Sequence, residues 1–161
     1  MTTVTSGSAL AQAIQGSFPT AVTEVYSTAV VLDASAIVGV CGYLKDAPDL
    51  AFDYLADLTA VDYIDYFEVV YQLLSMGRNA SATLKVRCQG RKALAVPSVT
   101  GVWHAANFLE REVYDLFGID FPGHPDLRRI MLFEGFPGHP LRKDFLEFDH
   151  RTIAAAAQER E

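Results

Sequence analysis

The chain has 161 residues, half of them hydrophobic and 20% charged, with a formal net charge of −7. That apolar fraction supports a packed core and excludes global disorder, while an acidic balance without a basic run excludes the clustered cationic footprint of a nucleic-acid binder. The two cysteines, Cys41 and Cys88, stand far apart and outside any CxxC context, which excludes an iron–sulfur or zinc ligand set and points to a reducing compartment.

The length fits one domain with a tail. No basic segment followed by an apolar core opens the chain, so no signal peptide is expected. No apolar run approaches the ~20 residues that span a bilayer. Ser8 to Gln15 is a short helix candidate, capped by Ser8 and stopped by Gly16. Thr20 to Tyr26 and Thr28 to Leu32, rich in Val, Thr and Tyr, are expected as a strand hairpin. Asp33 is a plausible cap for a helix to about Leu44, with Ile37, Val38, Cys41 and Leu44 as its apolar stripe. Ala47-Pro48-Asp49 ends it. Tyr54 to Tyr63 and Phe67 to Met76 are strand candidates, and Gly77-Arg78-Asn79 supplies a turn. Ala82 to Cys88 alternates, with Leu84, Val86 and Cys88 on one face and Thr83, Lys85 and Arg87 on the other, as in a half-buried antiparallel strand.

Thr100 to Phe117 has the clearest helical period, with Val102, Ala106, Leu109, Val113 and Leu116 on one stripe. Ser98 or Thr100 is expected to cap its start, and Gly118 sits where a left-handed C-terminal residue belongs. Glu110, Arg111, Glu112 and Asp115 crowd its last turns. Arg111 and Asp115 are spaced to pair on one face. Acids near a helix C-terminus oppose the macrodipole, so this cluster is expected to meet something outside the helix.

After Phe117 no periodic segment remains until Thr152, yet the stretch carries Phe121, Ile130, Met131, Leu132, Phe133, Phe136 and Phe145. It contains a repeat. Phe121-Pro122-Gly123-His124-Pro125-Asp126-Leu127-Arg128-Arg129 returns fifteen residues later as Phe136-Pro137-Gly138-His139-Pro140-Leu141-Arg142-Lys143. Proline fixes φ and removes a donor, so neither copy is a helix interior or a central strand. Each copy reads either as a stiff arm that loses little entropy on docking or as an ordinary turn on its own domain. Ile153 to Glu161 is expected as a short frayed helix. The division is therefore an α+β core, residues 1–118, and an extended C-terminal arm, residues 119–161. The core is expected as a mainly antiparallel sheet of four to five strands with helices on one face.

The chemical candidates point away from catalysis. His104, His124, His139 and His150 are candidate metal ligands or bases, but His124 and His139 sit between Gly and Pro in matching arms, which favours a structural hydrogen bond. Glu110 and Glu112 lie two apart and so on different helix faces, unsuited to paired acid–base work. Arg128, Arg129, Arg142 and Lys143 lack the glycine-rich loop and helix of a nucleotide site. Ion pairing with Glu110, Glu112 or Asp115, or with acids across an interface, is expected instead.

The residues that carry a family resemblance are Glu110-Arg111-Glu112, Tyr114 to Ile119, Gly123 to Ile130 and Gly138 to Phe145, with Asp57 to Tyr63, Phe67 to Ser75 and Val96 to Thr100 upstream. Together they resemble the C subunit of respiratory complex I, the NADH:quinone oxidoreductase, whose mitochondrial form is called iron–sulfur protein 3. Phe108, the run Leu132 to Phe136 and Leu146 depart from that pattern. The resemblance implies a non-catalytic member of the peripheral arm at the inner membrane, on the cytoplasmic side, or the matrix side in mitochondria. It implies binding to the D and B subunits of the same complex, and to its I subunit, with the membrane reached only through the complex and no nucleic acid. FMN, iron–sulfur clusters and quinone would belong to other subunits, with no cofactor or metal in this chain. The implied partner interface is Glu110, Arg111, Glu112, Asp115, His124, Pro125, Arg128, Arg129, His139, Pro140, Arg142, Lys143 and Asp144. The alternatives are the equivalent subunit of a membrane-bound [NiFe] hydrogenase and a free adaptor module.

Overall fold

The computed structural model describes residues 2–147. Its elements run β1 (Thr3–Val4), α1 (Gly7–Gln15), β2 (Val22–Val25), β3 (Ala29–Leu32), α2 (Ile37–Asp46), β4 (Tyr54–Asp62), β5 (Tyr66–Ser75), β6 (Ala80–Gln89) and α3 (Ala106–Phe117). The strands form one sheet in the order β2-β3-β6-β5-β4, with β1 also beside β6. β1 and β3 run parallel to β6, and the remaining pairs are antiparallel. The fold is α+β, as expected, with one strand beyond the expected four to five. The extra strand, β1, is two residues long and too short to leave a period in the sequence.

Alternation along β5 and β6 puts the core on one side of the sheet. Phe67 opposes Cys88, Val69 opposes Val86, Tyr71 opposes Leu84 and Leu73 opposes Ala82. All eight side chains are buried in one cluster with the inward stripes of the three helices. The opposite face carries Glu68, Thr83, Lys85 and Arg87, where Lys85 and Arg87 pair with Glu68. β3, between β2 and β6, is buried along its whole length.

Local chemistry explains the element boundaries. Ser6 rather than Ser8 caps α1, its Oγ accepting from Ala9 N. Gly7 lies against the carbonyls of Tyr26 and Ala29, where a Cβ would collide with backbone. Asp33 accepts from Ser35 N at 2.9 Å, and one 3-10 turn, Ala34–Ala36, precedes α2. Val40, not the half-exposed Val38, completes the buried stripe with Ile37, Cys41 and Leu44.

α3 starts six residues later than its apolar period suggests. Thr100 to Ala105 forms turns, pinned by Lys45 Nζ on Val102 O and by Trp103 Nε1 on Phe52 O. Ser98 and Thr100 bond each other and do not cap the helix. Gly118 ends α3 in the left-handed region, φ 67°, as expected. The core then continues past the expected boundary at 118. Ile119 and Phe121 are fully buried, and Asp120 bridges to Ala95 with bonds to Leu94 O and from Val96 N. Alanine at Gly118 would lose ~1–2 kcal/mol to the left-handed backbone. It would also drive a Cβ into His139 and Arg142. Gly118→Ala is thus expected to lower the thermal midpoint by several degrees, at roughly 2–4 °C per kcal/mol. An unchanged midpoint in a melt followed by circular dichroism would show that the arm yields freely there.

Candidate functional site

The inward face of α3 is polar as well as apolar. Ala106, Glu110, Val113 and Phe117 form its buried stripe, and Arg111 and Asp115 are buried beside it. Glu110 is fully buried: Oε1 accepts from Val99 N at 2.7 Å and Oε2 from Ser98 Oγ at 2.6 Å. Burial pushes its pKa up to about 7 against the pull of those two hydrogen bonds. Glu112 is exposed, so the two glutamates point apart, as their spacing required. Burial also pushes the Cys88 thiol up to about 11 and the Cys41 thiol higher still. Neither is a thiolate at neutral pH.

Asp115 is the hub of the site. Its side chain is 0% exposed. Oδ2 accepts three successive backbone N–H groups, from Ile130 at 3.0 Å and from Met131 and Leu132 at 2.8 Å. Oδ1 accepts from Arg129 at 3.0 Å. Burial raises the pKa, but the three N–H donors and the Arg129 charge outweigh it and leave it below the ordinary value. The acid that opposes the helix dipole is therefore compensated by donors from the arm. The expected Arg111–Asp115 pair does not form. Arg111 donates instead to the carbonyls of Arg128 and Arg129.

The repeat performs one task twice along α3. His124 Nε2–H donates to Asn107 O near the helix start, while its Nδ1 accepts from Asp126 N. His139 Nδ1–H donates to Asp115 O near the helix end. A carbonyl only accepts, so each bond fixes a tautomer. The two anchors lie eight residues apart on α3, about 12 Å along its axis. Each copy also turns at its glycine, Gly123 at φ 90° and Gly138 at φ 102°. One cation of each basic pair then goes inward. In the first copy it is Arg129. In the second it is Arg142, which donates to Phe117 O, Gly118 O and Arg91 O. Two of these are carbonyls at the end of α3, where a cation is favoured; none is an acid of the kind expected as its partner. Arg128 and Lys143 stay exposed.

A second node ties the arm to the sheet. Arg91 holds Asp62 through two bonds of 2.7 and 2.8 Å and reaches Asp144 at 2.9 Å. Asp62 also accepts from Ile64 N and from Lys143 N. The Arg91 guanidinium holds the Asp62 carboxyl well below the usual range despite burial. Arg91 and Arg142 both lie over the Phe67 ring. Arg91 carries no signal in the sequence, and neither do the roles of Ser98, a donor to Glu110 in place of a helix cap, and of Asp62. The one hint is the position of Asp62 at the end of an otherwise alternating strand.

Most of the sequence-predicted residues converge here, on α3 and on the arm above it. Glu110, Arg111 and Asp115 turn inward to partners within the chain. Glu112, Pro125, Arg128, Lys143 and Asp144 are exposed, and His124, Arg129, His139, Pro140 and Arg142 are half-buried. His104 is exposed and stands apart from the hydrogen-bonded set. His150 and the helix candidate at Ile153 to Glu161 lie outside the described residues. No group of three or more His, Cys, Asp or Glu side chains among the described residues is placed to hold a metal ion.

Residues 30–150 match the family described as the respiratory-chain NADH dehydrogenase, 30 Kd subunit. The chain belongs to that family. It is 53% identical over 115 residues to the C subunit of NADH-quinone oxidoreductase from Caulobacter sp. (strain K31), covering 70% of this chain and 53% of that protein. It is 46% identical over 144 residues to the C subunit of the same oxidoreductase from Methylorubrum extorquens (strain PA1), covering 85% of this chain and 65% of that protein. The chain thus spans between about half and two thirds of the length of these relatives. Among solved structures, a chain of the membrane-bound sulfane sulfur reductase, an archaeal respiratory membrane complex, shares the fold. The TM-score is 0.71 at 24% identity, over 96% of this chain and 91% of that one. The 30 Kd subunit family match covers α3, the repeat and the Asp62–Arg91 node together.

Proposed function

We propose that this chain is a non-catalytic member of the peripheral arm of a proton-pumping NADH:quinone oxidoreductase, holding the D subunit at the quinone site and the B subunit in place. The observation that carries this reading is the polarity of the arm. Its backbone donors and inward cations are satisfied by Asp115 and the carbonyls of α3. Its apolar Ile130, Met131 and Leu141 and its cation Arg128 are left outside, at 38, 64, 53 and 69% exposure. A surface of that composition suits burial against a protein partner. FMN, iron–sulfur clusters and quinone reside in other subunits. No helix among the described residues is long and apolar enough to cross a membrane. In this reading the chain reaches the membrane through its complex, on the cytoplasmic side. The relatives at 46 to 53% identity, named as C subunits of NADH-quinone oxidoreductase, support this reading over the hydrogenase alternative.

Purification of a tagged chain from its native membranes is expected to bring down the quinone-site subunits. Arg142→Ala is expected to lower the abundance of assembled complex several-fold on native gels, because the end of α3 and the arm separate. Arg142→Lys should do so too, since an ammonium cannot span three carbonyls as the planar fork does. Quinone reductase turnover per assembled complex should stay near normal. Normal abundance with collapsed turnover would place the arm in the reaction itself and end the scaffold reading.

A further inference from the structure

The basic pair in the first copy of the repeat divides its work, and the outward half is unclaimed. Arg129 is committed to Asp115 and to Gly138 O. Arg128 is 69% exposed, and its one ion pair among the described residues joins Nε to Asp126, itself 56% exposed. Such an exposed pair holds weakly. It leaves both terminal nitrogens, the half of the fork that grips a carboxylate in two parallel bonds, for an outside acceptor. Arg128 lines a cavity of about 390 Å³ between α3 and the arm, together with Tyr114, Leu127, Arg129, Leu132 and Glu134.

We propose that this cavity seats a single acidic side chain of a partner protein, gripped by Arg128 and framed by the apolar walls of Leu127 and Leu132. Charge decides the occupant. Asp115 already balances Arg129, so the group the cavity offers is the Arg128 fork, held through Nε alone; its terminal nitrogens can only donate, which suits an anion and not a cation. Glu134 on the same wall sets the limit: a run of acids would meet like charge there, so one carboxylate fits. The neighbouring Ile130 and Met131 are exposed and supply the apolar surround in which a charge pair loses its water and gains strength. Asp126 holds Nε and keeps the Arg128 fork extended, with the terminal nitrogens presented to the partner's carboxylate.

This inference rests on the reading of the chain as part of a larger assembly, and the test uses that assembly. A photo-crosslinking residue placed at Leu132 in the full chain, expressed in its native host, reports what enters the cavity. It is expected to label a peptide of another subunit with an Asp or Glu within about three residues of the crosslink. R128E is expected to cut the yield at least tenfold, and R128K to cut it partly. Changing the labelled subunit's acid to Arg in the R128E background is expected to restore it. The Arg128 side chain pairs only with exposed Asp126 among the described residues, so R128E should keep the wild-type melting midpoint and stay interpretable. A crosslink to this chain's own residues 148–161, a labelled partner peptide without an acid, or a yield unmoved by R128E would overturn the proposal while leaving the assembly reading intact. Absence of any co-purifying partner would overturn both.

Discussion

Replacing Asp115 by alanine is expected to release the segment from Arg128 to Lys143 while the sheet stays folded. One buried carboxylate holds three consecutive backbone N–H groups and the Arg129 guanidinium. Losing it strands the cation and the amides, and breaking a buried ion pair in this way costs ~3–5 kcal/mol. The core does not depend on those bonds, because β5, β6 and the helix stripes bury their own apolar cluster. Hydrogen exchange should therefore accelerate by two orders of magnitude or more at Ile130, Met131 and Leu132, with little change at Val69 or Val86. Asp115→Asn keeps the shape but turns an amide donor toward donors, and should give most of the same effect. Acid should mimic it. The Asp115 pKa is depressed in the folded chain. Its contribution is thus complete above the ordinary carboxylate value near 4 and is lost as pH falls through the lower folded value. Uniform acceleration across the sheet as well would mean that arm and core are one cooperative unit.

The opposite pH dependence is expected from Glu110. Its pKa is raised by burial from 4.5 to about 7, so the folded chain holds a proton that the unfolded chain releases near the lower value. A raised folded value means that stability is complete below about 4.5 and declines as pH rises through about 7. The difference corresponds to about 3 kcal/mol, at 1.36 kcal/mol for each pKa unit. Glu110→Gln keeps an acceptor for Val99 N and removes the titration. The variant should match the wild type near the acid end of that window and exceed it above neutrality. Trp103 is buried and bonded to Phe52 O, so its fluorescence reports unfolding in urea across that range. Parallel midpoint curves for the two proteins would show that Glu110 stays ionised in the folded state.

Much of this architecture is legible in residue order. The alternation from Ala82 to Cys88 and the apolar run from Phe67 mark two central strands, because a sheet with one buried face imposes a period of two. Gly118 marks the end of α3 because a left-handed residue is easiest without a Cβ. The acids at the end of that helix announce a meeting with something beyond it, and Asp115 meets the arm. Other features are not legible. The apolar period alone starts α3 too early, because Val102 fits it, while what decides the start is Lys45 and Phe52 holding the turn before it. Glu110 reads as an ion-pair partner for the basic residues, since nothing local shows that Ser98 and Val99 come to meet it.

The family, the α+β class and the repeat are readable from residue order, since they are written in local periods and in contiguous motifs. Tertiary structure alone decided what each charged residue does. Arg128 and Arg129 are chemically identical neighbours, yet one faces solvent and the other closes on Asp115. Arg142 faces inward and Lys143 outward, the reverse order of the first copy. Asp62 and Arg91 lie twenty-nine residues apart and form a part-buried pair. The reason is physical. The strength of a charge depends on how much water is removed around it and which dipoles replace that water, and both are set by packing between segments distant in the chain.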